Sequence, residues 1–226
     1  MKISLPHPLN MVIPEIREKA LTSFYGGPGT GKTCICLIAS IECVKSGGKV
    51  VYIDTEGGFS VERVEQLLNS SMTLESFLRN VELLQPETFE SQKKIIDSLK
   101  NKKFDLLVVD SLVALYRLEY SNQEEVLVAS RKLSKQLSVL SSISREKNVP
   151  VILTAHTYKN WNTGKNEMVG GEVLKYWSKA IVFLEKTGRM SERIARLVKH
   201  QFLPEGKEVK FMMTQDGIAP VRFKLF

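Results

Sequence analysis

A glycine-rich segment near the start of the chain contains the residue types that bind phosphate. Its sequence, which fits the pattern G-x-x-x-x-G-K-[ST], is Phe24-Tyr25-Gly26-Gly27-Pro28-Gly29-Thr30-Gly31-Lys32-Thr33. Glycines let the backbone turn with its N–H groups pointing inward, so such a loop can wrap a triphosphate. Lys32 is expected to reach the β- and γ-phosphates, and the Thr33 hydroxyl to ligate Mg²⁺. The pattern therefore predicts a site for ATP and Mg²⁺ at residues 26–33.

The segments on either side of this loop fit the context that the motif requires. Leu21 to Tyr25 is predicted to be a strand, and Thr33 to Cys43 an apolar helix whose positive dipole end points at the same phosphates. Cys34, Cys36 and Cys43 all fall on this helix, at a spacing that suits neither a zinc site nor a disulfide. We expect them to be small buried core residues.

Two acidic residues are candidates for the chemistry at the phosphates. Asp110 ends the apolar run that starts at Phe104, and a parallel sheet places such a residue beside the phosphate loop. It is expected to anchor Mg²⁺ through water; the alternative is an Asp that caps the next turn. Glu56 follows the predicted strand from Lys49 to Asp54. It is placed to polarise a water for attack on the γ-phosphate, and the alternative is a surface carboxylate.

Strand and helix patterns alternate along the chain and predict an α/β fold with a mainly parallel central sheet flanked by helices. Further helices are predicted at 60–69, 89–100 and 124–147, and further strands at 81–84, 150–155, 180–184, 194–198 and 209–212. The last three strands predict a C-terminal antiparallel hairpin extension. The inner face of the longest helix is expected to carry Leu127, Leu133, Leu137, Leu140 and Ile143. Residues 157–170 are polar and are expected to form a loop.

The length of 226 residues fits one domain. Residues 1–20 are expected to form an irregular lead-in with a short helix from Glu15 to Ala20, followed by a single domain over residues 21–226, with no room for an extra N-terminal domain. No apolar run approaches the roughly 20 residues that span a bilayer, and no secretion signal is visible. We therefore expect a cytoplasmic protein.

The positive charge of the chain is uneven. Residues 1–156 hold 19 Lys and Arg against 18 Asp and Glu, whereas residues 157–226 hold 13 against 7, so +6 of the net +7 lies in the last third. This distribution indicates a polyanionic partner; the alternative is a solvated basic surface.

Three segments together resemble the ATPase core of the RecA/RadA recombinases. They are Gly26–Thr33, Tyr52–Arg63 and Leu107–Ser111, and shorter matches follow in the same order at 170–171, 193–197, 203–206 and 217–218. The resemblance covers about residues 21–220 and is strongest to the short archaeal paralogues of RadA, which lack its N-terminal helix–hairpin–helix domain. It implies a RecA-like P-loop ATPase core. It also implies an accessory function in homologous recombination and DNA repair, with weak ATP hydrolysis and no strand exchange of its own.

The same resemblance implies roles for single residues. Glu56 would be the water-activating carboxylate, Arg63 would lie against the adenine, and Pro204 would belong to a cap that covers adenine from a neighbouring subunit. Residues 112–122 and 157–169 match two DNA-facing loops. The implied partners are single-stranded or branched DNA, the RadA recombinase and a Holliday-junction resolvase.

The chain also departs from the recombinase pattern. His156, a third catalytic candidate beside Glu56 and Lys32, stands where recombinases carry a glutamine that senses the γ-phosphate. Lys199 replaces an acidic residue of the RadA cap, and no Phe-x-x-Ala polymerisation linker precedes the core.

The second DNA-facing loop has a composition suited to unpaired bases. Two aromatics alternate with two lysines between residues 158 and 166, and Trp161 lies between Lys159 and Lys165. A Trp on a polar loop can stack on an unpaired base, worth about 1–3 kcal/mol. The alternative is that Trp161 tucks under the loop and anchors it.

Two other functions remain open from the residues. One is a RecA-like signalling ATPase or autokinase resembling the circadian-clock proteins, which carry paired glutamates where this chain has Glu56 between Thr55 and Gly57. The other is a non-catalytic partner-binding module that is gated by ATP.

Overall fold

The computed structural model of the chain describes residues 2–160, 164 and 166–221. The strands are β1 Ile3–Ser4, β2 Glu15–Ile16, β3 Leu21–Gly26, β4 Val50–Asp54, β5 Val81–Leu84, β6 Leu106–Asp110, β7 Val151–Ala155, β8 Thr157–Lys159, β9 Asn166–Met168, β10 Ala180–Lys186, β11 Glu192–His200, β12 Glu208–Thr214 and β13 Gly217–Pro220. The α-helices are α1 Lys32–Lys45, α2 Val61–Leu68, α3 Leu74–Leu78, α4 Phe89–Ser98, α5 Gln123–Lys147 and α6 Gly171–Trp177. Short 3₁₀ helices cover Leu9–Met11, Leu99–Asn101 and Tyr116–Glu119.

One nine-stranded sheet organises the molecule, in the order β13-β12-β11-β10-β3-β7-β6-β4-β5. The six strands from β10 to β5 run parallel. The strands β11, β12 and β13 continue the sheet in antiparallel pairs. This arrangement confirms the predicted mainly parallel sheet with a C-terminal antiparallel extension.

Helices cover both faces of the sheet, and each face has its own apolar core. Helix α1 packs in one core with α2 and α3, and α4, α5 and α6 pack in the other. Strands β4, β6 and β7 are buried along their whole lengths, which explains their continuous apolar sequences. Because parallel strands end at the same edge, the loops after β3, β4, β6 and β7 are brought together there.

The lead-in differs from its prediction. The helix expected from Glu15 is wrong, because Glu15–Ile16 pairs with Ile3–Ser4 as two short antiparallel strands. Ile16 is fully buried, so packing against the core decides its conformation rather than local propensity. The lead-in also contributes other buried apolar side chains, namely Ile3, Leu5, Leu9, Val12 and Ile13.

Two further expectations need correction. Leu127 is 65% exposed and does not belong to the inner face of α5, since burial along this helix begins at Ala129. The other four predicted positions of that face are buried.

Residues 157–170 are not a plain loop, because β8 and β9 form a hairpin in which Tyr158 is paired with Glu167. The Tyr158 hydroxyl donates to Glu167 Oε2 at 2.9 Å, so a polar cross-strand pair stabilises a segment with no apolar alternation. Within the described residues, no helix is both long and apolar enough to cross a bilayer.

Candidate nucleotide site

The phosphate loop connects β3 to α1 at the carboxyl edge of the parallel strands. A Cβ atom at Gly26 would lie 2.2 Å from Leu184 O, so only glycine lets β10 pass this close. Gly31 has φ of 104° and precedes the first residue of α1, a conformation that favours glycine. Both fixed glycines of the motif therefore have a local structural cause.

Lys32 lies folded against the loop that it follows. Its Nζ donates to Gly26 O at 2.9 Å and to Gly27 O at 3.0 Å, and the side chain is only 6% exposed. Burial lowers the pKa of Lys32, while the negative charges of Asp110 and Glu56 act against this shift. A lysine ammonium has three donors, so one remains for a phosphate oxygen after the two carbonyl groups are satisfied.

Asp110 is held at the end of β6 by two hydroxyl groups. Tyr52 donates to Asp110 Oδ2 at 2.9 Å, and Thr154 donates to Asp110 Oδ1 at 2.5 Å. Burial keeps the pKa of Tyr52 well above its ordinary value, so its hydroxyl stays a donor. The described residues contain no group of three or more His, Cys, Asp or Glu that could hold a metal ion. A cation bound beside Asp110 would therefore take its other ligands from Thr33, water and phosphate oxygens.

Asp54 is a positioning residue that the sequence patterns did not single out. It is 2% exposed, and its carboxylate accepts hydrogen bonds from the backbone N–H groups of Glu56, Gly58 and Phe59 at 3.0–3.2 Å. These bonds shape the turn that carries Glu56. The sequence signal for this role is an Asp three residues before a glycine pair, because Asp side chains commonly accept hydrogen bonds from backbone N–H groups further along a turn.

Glu56 and His156 meet across the edge of the sheet. Glu56 Oε1 lies 2.5 Å from His156 Nε2, although the two residues are 100 positions apart in the sequence. Glu56 is held on one side by the turn around Asp54. His156 connects to the hairpin, since its carbonyl oxygen accepts a hydrogen bond from Val169 N at 2.9 Å.

Glu56 and His156 line a cavity of about 360 Å³. Its wall combines residues of the phosphate loop with Cys34, Glu56, His156, Arg193 and Met213. All three cysteines are buried and form no disulfide, as expected, and burial raises the pKa of each thiol, that of Cys43 to about 12.

Arg63 lies on α2, the helix capped by Ser60 as expected. Its guanidinium donates to two carbonyl oxygens at the β12–β13 turn, those of Gln215 at 2.6 Å and Thr214 at 3.0 Å. Arg63 thus ties α2 to the antiparallel extension near the phosphate loop. Its contact with adenine stays a prediction.

Pro204 is exposed in the turn between β11 and β12, at the edge of the sheet opposite the phosphate loop. The register places it there, because Arg193 of β11 pairs with Lys186 beside the loop whereas His200 pairs with Ala180 at the far end. Pro204 cannot reach the phosphate loop of its own chain, so its predicted contact with adenine requires a second subunit.

The two predicted DNA-facing loops adjoin each other. A cavity of about 480 Å³ lies between them and is lined by Tyr116, Tyr120 and Tyr158 among others. Lys159 is an exposed residue of β8. Trp161 and Lys165 lie outside the described residues.

Comparisons with known proteins agree with this geometry. The model of the Rad51 family matches residues 10–221 of the chain. The chain is 38% identical over 210 residues to the DNA repair and recombination protein RadB of Methanosphaera stadtmanae, covering 90% of this chain and 88% of that protein. It is 40% identical over 203 residues to the protein of the same name from Methanocaldococcus jannaschii, covering 88% and 92%.

A solved structure described as the RadB recombinase superposes with a TM-score of 0.82 at 34% identity, covering 96% of this chain and 97% of that one. These matches confirm the predicted resemblance to a short archaeal paralogue of RadA, and they disfavour the circadian-clock alternative. The chain therefore belongs to the Rad51 family and, within it, to the RadB proteins.

Proposed function

We propose that this chain is an ATP- and DNA-binding accessory protein of homologous recombination and DNA repair that works in the cytoplasm. It hydrolyses ATP weakly and performs no strand exchange of its own. Its kinship with RadB proteins and the residues that line the nucleotide cavity support this proposal.

The residues of the phosphate loop and of the neighbouring strand end fit ATP and Mg²⁺. The phosphate loop offers backbone N–H groups, Lys32 offers one uncommitted ammonium donor, and Asp110 presents a carboxylate that two hydroxyls hold in place. Thr33 and Asp110 are the protein groups that would hold Mg²⁺, with water between the ion and Asp110. When bound, the ion neutralises charge on the phosphates.

The observation that carries the proposal is the contact between Glu56 and His156. As long as this contact is kept, a carboxylate at 2.5 Å from an imidazole nitrogen is not free to activate a water, which favours weak hydrolysis. The backbone of His156 is bonded to Val169 at the base of the hairpin. A nucleotide that separates Glu56 from His156 would therefore also act on the hairpin, provided that ATP binds the two arrangements with different affinities.

ATP turnover, ATP binding and DNA binding should be measured on the same preparation, with and without single-stranded DNA. We expect ATP to bind only with Mg²⁺ present, DNA to bind, and turnover to stay slow under both conditions. Transfer of phosphate to the protein itself would instead support a signalling kinase. ATP binding without any DNA binding would support a partner-binding module.

The proposal includes two protein partners, the RadA recombinase and a Holliday-junction resolvase. Both are implied by the resemblance to the recombinase paralogues. Each should co-elute with this chain in size-exclusion chromatography when ATP and Mg²⁺ are present. Separate elution of both at micromolar concentrations would remove them from the proposal.

A further inference from the structure

Two cations, one on β10 and one on β11, lie on the phosphate loop. Lys186 and Arg193 are directly paired across β10 and β11, and both reach Gly29. Arg193 Nε donates to Gly29 O at 2.9 Å, and a Cβ atom at Gly29 would lie 2.9 Å from Lys186 Nζ. Neither residue belongs to the phosphate-loop motif.

Among the residues that the structure describes, no carboxylate forms an ion pair with either of these two cations. Like charges directly opposite each other in a sheet are destabilising. Among the described residues, no carboxylate forms an ion pair with Lys186, and the hydrogen bonds of Arg193 go to the carbonyl oxygens of Gly29 and Glu192. The carboxylate of Glu192 is directed to Arg189 instead, 3.8 Å away. Repulsion between the two positive charges therefore lowers the stability of the folded protein.

The position of Lys186 and Arg193 beside the nucleotide cavity indicates which kind of ligand offsets their repulsion. Arg193 lines the same 360 Å³ cavity as Lys32, Thr33 and Glu56. Lys186 is close enough to Lys32 for its charge to contribute to lowering the pKa of that residue, after the larger effect of burial. A polyanion in the cavity would neutralise all three cations at once.

We propose that Lys186 and Arg193 form a second cationic contact for the phosphates of the bound nucleotide, supplied by the same chain. The ligand class is a nucleoside di- or triphosphate. Its polyphosphate supplies the negative charge that pairs with Lys186 and Arg193. This proposal depends on the proposed function in so far as a nucleotide must bind the phosphate loop.

The test compares two charge reversals. Lys186→Glu places a carboxylate opposite Arg193, so it should raise or preserve the melting temperature of the nucleotide-free protein while weakening ATP binding about 10- to 100-fold. Lys210→Glu is the matched control, because Lys210 is exposed on the neighbouring strand β12 and alternation places it on the other face from Phe211, the pairing partner of Arg193. AMP, ADP and ATP should be titrated with both variants.

The expected result is a loss for Lys186→Glu that grows from AMP to ATP, with little change for Lys210→Glu. Two results would overturn the proposal. One is equal ATP affinity in both variants while the parent protein binds ATP normally, which would leave the proposed function intact. The other is a loss of ATP affinity that accompanies a lower melting temperature without nucleotide, which would make Lys186 a brace of the loop only. Failure of the parent protein to bind ATP would overturn this proposal and the proposed function together.

Discussion

The edge that carries the phosphate loop and the hairpin formed by β8 and β9 lie next to each other but are built differently. At the edge, Asp54 and Asp110 are buried, and their carboxylates accept several hydrogen bonds from within the protein. In the hairpin, Tyr158 is 45% exposed, and its cross-strand partner Glu167 is a half-buried carboxylate. Buried, satisfied polar groups hold one arrangement, whereas exposed pairs exchange readily with water. The carboxylates of Asp54 and Asp110 are therefore set in advance, whereas contacts nearer the surface hold the hairpin.

One residue connects these regions. The side chain of His156 contacts Glu56 at the edge, and its backbone carbonyl bonds Val169 at the base of the hairpin. If the comparison is right, substitutions at the edge should have large effects on ATP, and substitutions in the hairpin should have graded effects on DNA.

The largest effect is expected at Lys32. Lys32→Ala should abolish ATP binding, because the ammonium that serves the phosphates is lost. It should also cost about 1–3 kcal/mol of unfolding free energy, since the carbonyl groups of Gly26 and Gly27 lose their donor. Titration of labelled ATP and thermal melting measure the two. Lys45→Ala, an exposed lysine at the end of the same helix, is the control. Unchanged ATP affinity in a folded Lys32→Ala variant would contradict the site assignment.

A smaller but still large effect is expected at Glu56. Glu56→Gln should keep ATP binding and lower turnover about 100-fold or more, because only the charge that activates water is removed. Single-turnover hydrolysis assays measure this. Glu65→Gln, an exposed residue of α2, provides the matched control. If Glu56→Gln hydrolyses ATP as fast as the parent, Glu56 is a surface carboxylate without a catalytic role.

The same contrast explains what the sequence could predict. The phosphate loop and Asp110 were predictable because their types and spacing follow from local backbone geometry and from the parallel sheet. The contact between Glu56 and His156 was not, since it joins the ends of β4 and β7 through tertiary packing. The hairpin was missed because its strands are short and polar, so no alternation marks them. Ile16 shows the same limit, where burial in the core overrides a local helical pattern.

A moderate effect on DNA is expected from Trp161, whose position lies outside the described residues. Trp161→Ala should weaken binding of single-stranded DNA by about 1–3 kcal/mol with little change in salt dependence, because stacking releases no ions. Fluorescence anisotropy with labelled oligonucleotides measures the loss. Tyr176→Ala removes an aromatic residue that is 75% exposed on α6 and serves as the control. Lower thermal stability with unchanged DNA binding would make Trp161 an anchor of the loop.

The connection between the two regions should be visible at His156. If ATP changes DNA affinity in the parent by about fivefold or more, a typical size for coupling between sites, His156→Ala should remove that change and preserve DNA binding itself. The measurement is DNA affinity with and without ATP in both proteins. A parent protein whose DNA affinity never responds to ATP would rule out the coupling.

The smallest effect is expected for a single lysine of the hairpin. Lys159→Ala should lower the slope of log affinity against log salt concentration by roughly 0.7, the counterion release expected for one phosphate contact on a single strand. Because the contact is electrostatic, the loss should be similar for every DNA sequence. Titrations at several salt concentrations test this.

Lys165→Ala should behave alike, although Lys165 lies outside the described residues. Lys103→Ala, an exposed lysine at the opposite edge of the sheet, carries the same charge change and should leave the slope unaltered. Equal slopes for Lys103→Ala and Lys159→Ala would mean that the basic charge acts through the whole surface and not through the hairpin, and the proposed difference between the two regions would not extend to DNA.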